Sequence, residues 1–207
     1  MTNVRLLALP IVAVSSTVAL AAEGHDDMLI GASAAAGGQL LVDFDFDDTP
    51  HVRVSQAFNF GNGTSLFTSS APGFDAATTE EDEGVFELAD GTEVSIRLTA
   101  FDPGVSMQVR GTAMNTVGQS VVLGTYNGGE ELHTHAIFQL IAPSDDVGLH
   151  DLSFELFQSN GGTTYGTSDT YTLTLQNAAA AVPEPAAAGL LSAAGLMALR
   201  RRRHASA

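Results

Sequence analysis

The feature that most limits what this 207-residue chain can fold into is a period of two in its apolar residues, broken at regular points by turn-forming residues. Residues 92–101 set Val94, Ile96 and Leu98 against Glu93, Ser95, Arg97 and Thr99. Residues 39–46 set Leu40, Val42, Phe44 and Phe46 against Leu41, Asp43 and Asp45. Stretches 105–109, 121–125, 132–141, 152–157 and 171–175 continue the pattern, and Val52, Val54 and Phe58 follow it less regularly. Successive side chains of a strand point to opposite faces, so this alternation specifies half-buried strands. Gly37-Gly38, Asp48-Thr49-Pro50, Gly61-Asn62-Gly63, Asp90-Gly91, Asp102-Pro103-Gly104, Asn127-Gly128-Gly129 and Asn160-Gly161-Gly162 supply the turns between them. Many short strands at this spacing predict an all-β fold, an antiparallel β-sandwich in a single domain. Residues 69–83 read as a polar, acidic surface loop.

The two ends are of a different kind. Arg5 precedes an apolar stretch at 6–20 and a small-x-small site, Ala19-Leu20-Ala21. That order predicts a signal peptide over residues 1–21, a short helix removed on export, with Ala22 as the first mature residue. Interrupted by Pro10, the stretch is short for roughly 30 Å of hydrocarbon. At the other end Pro183, Glu184 and Pro185 precede small apolar residues at 186–199, then Arg200, Arg201, Arg202 and Arg203. This combines a stiff spacer, a membrane helix and a positive cluster that favours the cytoplasmic side. The body is therefore assigned to residues 22–180 and the tail to 181–207.

The three parts of the tail, in that order, resemble the PEP-CTERM sorting signal of Gram-negative bacteria. The resemblance implies export through the Sec machinery, transient anchoring in the inner membrane, and cleavage by an exosortase near the Pro-Glu-Pro triplet. The protein would then reach the cell envelope, outer surface or extracellular matrix. An ordinary carboxy-terminal anchor that is never removed is the alternative.

Composition narrows the partners. The chain has no cysteine, which removes disulfides and thiolate metal sites. It has no lysine, and within 22–180 only Arg53, Arg97 and Arg110 are cationic against twenty-three carboxylates, a formal charge of −20. Nucleic acid, which needs cationic partners, is excluded by that balance. Cations and sugar hydroxyls suit it better.

Chemistry concentrates at His133-Thr134-His135. On a strand, residues two apart share a face roughly 6–7 Å apart, so two imidazoles can converge on one ion. Near the mature start, His25, Asp26 and Asp27 offer another imidazole and two carboxylates. A first strand lying beside residues 132–141 would bring both groups together. His133, His135 and His25, with Asp27 or Asp26 as fourth ligand, suit tetrahedral zinc; copper(II) and nickel(II) also accept imidazole. Because imidazolium does not ligate, binding should fade as the pH falls toward roughly 6. His51 and His150 read as plain surface residues. Asp43, Asp45, Asp47 and Asp48, the first three on one strand face, could take calcium, but the row lacks the glycine turn and terminal glutamate of an EF-hand loop. An acidic face kept against edge pairing accounts for them too.

A second resemblance rests on Gly24-His25-Asp26-Asp27-Met28-Leu29-Ile30-Gly31, on the segment from His133 to Pro143, and on Ala71-Pro72-Gly73-Phe74. These motifs resemble a bacterial surface-protein family that includes choice-of-anchor M domains and PEP-CTERM proteins repressed by the zinc uptake regulator. The resemblance implies a zinc-linked surface role, with His25, Asp27, His133 and His135 as ligands. No catalytic elbow, zinc-protease helix or phosphate loop is present in the sequence. The expectation is thus a non-catalytic, exported metal-binding protein. The alternative is a structural or adhesive module of the exopolysaccharide matrix without a metal site.

Overall fold

A computed structural model describes residues 27–35, 37–77, 84–128, 132–161 and 164–178. The predicted signal helix, His25, Asp26 and the whole sorting tail lie outside the described residues. Among the described residues twelve strands account for the regular structure: β1 (Met28–Ala32), β2 (Leu40–Asp43), β3 (Val52–Asn59), β4 (Thr64–Ser69), β5 (Phe74–Ala76), β6 (Thr92–Phe101), β7 (Val105–Val109), β8 (Thr112–Met114), β9 (Ser120–Tyr126), β10 (Ala136–Pro143), β11 (Leu149–Gln158) and β12 (Tyr171–Asn177). The all-β class follows directly. Among the described residues, no helix is long and apolar enough to cross a membrane.

The strands form a three-stranded sheet, β2-β1-β5, and a nine-stranded one, β8-β7-β10-β4-β3-β12-β11-β6-β9. Pairing is mostly antiparallel, but β1 runs parallel to β5 and β12 parallel to β3. β3 joins the halves of the large sheet. Its first residues pair with β12, and after a register shift between Gln56 and Phe58 the rest completes its pairing with β4.

Alternation decides what each strand buries. Along β10, Ala136, Phe138, Leu140 and Ala142 are buried, while Ile137 and Ile141 face out. Leu152, Phe154 and Leu156 of β11 do the same. Both sheets feed one core, in which Met28, Ile30, Leu40 and Phe74 of the small sheet join Phe67, Ile96 and Phe138 of the large one. Each such side chain contributes roughly 1.5–3 kcal/mol on leaving water. Gly104 closes the turn into β7 with φ at 85°, a conformation that suits glycine. A Cβ there would stand 2.3 Å from the Ile141 carbonyl oxygen.

The scarce cations serve the sheet. Arg97 of β6 pairs with Glu155, its cross-strand partner on β11, and lies 5.1 Å from the Phe157 ring centroid. Arg110 Nη1 donates to the Leu123 carbonyl at 3.2 Å. His51 and His150 are half-buried and bonded, so neither is a plain surface residue. His51 Nδ1 accepts the Thr174 N–H at 2.8 Å, and its Nε2 lies 3.1 Å from the Phe46 carbonyl oxygen. His150 Nε2 lies 2.8 Å from Asp146 Oδ2.

Tyr126 ends β9 inside the core, and its hydroxyl donates to Glu87. Burial first, then that bond and the charges of Glu87 and Asp90, push its phenol up to about 12. A folded-state value above the unfolded one means stability present below about pH 10 and lost as the pH rises through about 12. Alkaline titration of the tyrosinate band should show one phenol ionising near pH 12, with the unfolding midpoint falling over the same interval. Burial raises Tyr171 as well, so the difference from a Tyr126→Phe protein isolates this residue. An unchanged alkaline limb in that variant would contradict the assignment.

Candidate metal centre

The site lies where the small sheet meets the segment leading into β10. Residues 132–135 do not extend β10 as the periodicity predicts. Thr134 alone pairs, forming an isolated bridge with Phe74 through two backbone hydrogen bonds of 2.8 Å. Alternation then turns His133 and His135 to one side and Thr134 to the other. Thr134 Oγ1 donates to the Leu123 carbonyl of β9 at 3.0 Å.

The strand beside the paired histidines is β5, not the first strand. β1 lies parallel on the far side of β5, in the register Met28↔Phe74. Asp27, just before β1, still reaches the imidazoles because only Gly73 intervenes. Gly73 donates its N–H to Asp27 Oδ1 at 2.7 Å. A Cβ on Gly73 would stand 2.8 Å from that oxygen and 2.9 Å from His135 Nδ1, so a glycine is what fits.

Asp27, His133 and His135 each offer one donor atom, and these atoms lie within 4.8 Å of one another. Among the described residues this is the group of three so gathered, and the acidic row is not part of it. Asp43, Asp45 and Asp47 are exposed, and Asp45 Oδ1 accepts the Asp47 N–H at 2.9 Å in a local turn. Of the four predicted ligands, three come together; His25 lies outside the described residues.

Contacts at Nδ1 orient the two rings. His135 Nδ1 lies 3.2 Å from the Ser70 carbonyl oxygen, and His133 Nδ1 lies 3.3 Å from Asp75 Oδ2. The Ser70 carbonyl only accepts, so His135 Nδ1 carries its hydrogen and His135 Nε2 a lone pair, whereas the approach of His133 to Asp75 is a charge contact without hydrogen-bond geometry. Those two Nε2 atoms face each other at 3.1 Å. Without an ion, His133 Nε2–H donates to the His135 Nε2 lone pair at this distance; a metal ion taking the place of that hydrogen would be shared by both rings. Zinc–nitrogen bonds of 2.0–2.1 Å in a tetrahedron put neighbouring donors about 3.3 Å apart, close to the spacing seen. The anchoring of His135 Nδ1 by the Ser70 carbonyl is the outer-shell arrangement usual for metal-binding histidine.

Both imidazoles are exposed and Asp27 is half-buried, so the donors are open to solvent. Asp75, Ser70 and Gly73 were not recognisable as site residues from spacing. The one hint was the Pro72-Gly73-Phe74 motif. The segment at 69–83, read as a surface loop, instead buries Pro72, Gly73 and Phe74 and contributes β5.

No family model matches the chain, and no curated protein matches it. Solved structures similar at low identity include the following three. The N-terminal domain of PorA aligns with a TM-score of 0.31 and 13% identity over 61% of this chain and 85% of that one. CfaE, the adhesive subunit of the CFA/I fimbria of enterotoxigenic Escherichia coli, aligns at 0.34 and 12% over 73% and 49%. A mutant of that adhesin gives 0.33 and 10% over 72% and 48%. The chain thus spans about half the length of CfaE.

Proposed function

We propose that this is an exported surface or extracellular-matrix protein that binds a divalent metal, zinc foremost, and does not catalyse a reaction. His133 and His135 bind through Nε2 and Asp27 through a carboxylate oxygen, with His25 completing a four-ligand shell. The single observation carrying the reading is the pair of Nε2 atoms 3.1 Å apart, each on a ring whose Nδ1 faces an acceptor. Two imidazoles and a carboxylate form a donor set for zinc; calcium prefers six to eight oxygens. Export through the Sec machinery and sorting by an exosortase rest on the end sequences.

Calorimetric titration of zinc into the purified protein tests the reading, with one equivalent bound per chain as the expected result. Asp75→Asn keeps the shape of the side chain but removes the charge that stands 3.3 Å from His133 Nδ1. It should lower zinc affinity about 10–100-fold, the usual cost of losing an outer-shell partner. Absence of any zinc heat from the unaltered protein would end the proposal.

A matrix-adhesive module is the second reading, favoured by one observation. Phe58 and Phe60 are exposed with ring centroids 5.2 Å apart, and Phe58 aligns across β4 and β10 with Leu66 and Ile141. Glycan binding that persists in chelator and is lost in Phe58→Ala would support it.

A further inference from the structure

We infer that an ion held by Asp27, His133 and His135 is a latch. It fastens one end of the three-stranded sheet to the rest of the protein, so the supply of divalent metal sets how often that end opens. The inference rests on the metal reading above and adds a consequence to it.

Among the described residues the small sheet shares no strand ladder with the large one. At the end where β1 and β5 begin, it is tied by the isolated bridge between Phe74 and Thr134. The hydrogen bonds that tie β1, β5 and Thr134 together here each involve a residue at or next to a metal donor. The Met28 N–H goes to the Gly73 carbonyl at 3.0 Å, the Gly73 N–H to Asp27, and Phe74 and Thr134 exchange theirs. Thr134, between the two ligating histidines, also reaches β9 through its hydroxyl. One ion touching Asp27, His133 and His135 therefore clamps the start of β1 and the Thr134 bridge, with β5 held between them.

The segments joined are distant along the chain. Asp27 and Gly73 are 46 residues apart, and Ser70 and His135 are 65 apart. Bringing such separated segments together costs loop-closure entropy, which a cross-link offsets. The far end of the small sheet is tied differently, by bridges of Ala32 to Phe86 and of Gln39 to Gly166, which involve none of the ligands. Opening of the ligand end alone must release the ion. Bound metal then suppresses that opening by the factor 1 + [M]/Kd, about a hundredfold at a free concentration 100 times Kd.

Amide hydrogen exchange of the purified full-length protein, with zinc alone as the probe, tests this. At saturating zinc, exchange at Met28, Gly73, Phe74 and Thr134 should slow about a hundredfold. Exchange at Phe86, Leu98 and Leu156 should keep its metal-free rate. In His133→Ala/His135→Ala, zinc should change none of these rates. Zinc heat in the calorimeter without slower exchange at the corner overturns the latch and leaves the metal reading standing. Equal slowing at all seven amides also overturns it, because the ion would then stabilise the whole fold. No zinc heat at all removes both.

Discussion

Replacing His133 and His135 together by alanine is expected to abolish zinc binding while leaving the fold intact. The two rings supply two of the three donors gathered at the site. Structural zinc sites bind with apparent free energies of about 10–16 kcal/mol, shared among about four ligands. Losing two ligands then removes at least about 5 kcal/mol, or several thousandfold in affinity. The remaining Asp27 carboxylate is already engaged by the Gly73 N–H. Stability should hold, because both histidines are exposed and surface substitutions usually stay within about 0.5 kcal/mol. Metal-free urea unfolding of the variant provides that control. Equal zinc heats from the altered and unaltered proteins would place the ion elsewhere.

The largest effect on stability is expected from Phe74→Ala. Phe74 is fully buried and packs edge-to-face on Phe154 with ring centroids 5.8 Å apart. Its backbone is held on both sides, by the parallel register with β1 and by the bridge to Thr134. Walls fixed in this way cannot collapse into the space a lost ring leaves. Phe→Ala changes in such cores cost roughly 3–5 kcal/mol, a large part of the 5–15 kcal/mol typical of a folded domain. Urea unfolding should show a much lower midpoint with an unchanged slope. Phe58→Ala is the control, since that ring is 58% exposed and its loss should shift stability by about 0.5 kcal/mol or less. A loss below about 1 kcal/mol for Phe74→Ala would show that the ring is not a core residue.

The two substitutions also mark what could be read beforehand. Strands β6 and β7 match the alternating runs at 92–101 and 105–109 residue for residue, because long amphipathic strands write their burial into a period of two. The short strands were less legible. β5 spans three residues, fewer than periodicity can register, and sits in a stretch rich in Asp and Glu. The same brevity hid Asp75, and Ser70 contributes only a backbone carbonyl, which no residue type announces. His51 looked like a polar strand residue because its partners, Thr174 and Phe46, are backbone groups brought to it by the fold.

Sequence alone determined the β class, the alternating faces of the long strands, the exclusion of thiolate chemistry, and the pairing of His133 with His135 on one side of the backbone. All of these follow from local rules of strand geometry and composition. Tertiary structure decided that β1 and β5 run parallel, that Gly73 lets Asp27 approach, and that Ser70 anchors His135 while Asp75 faces His133, with the two Nε2 atoms meeting. Those outcomes depend on contacts between segments about 45 to 65 residues apart, where packing and backbone pairing, not local preference, set which groups share a space.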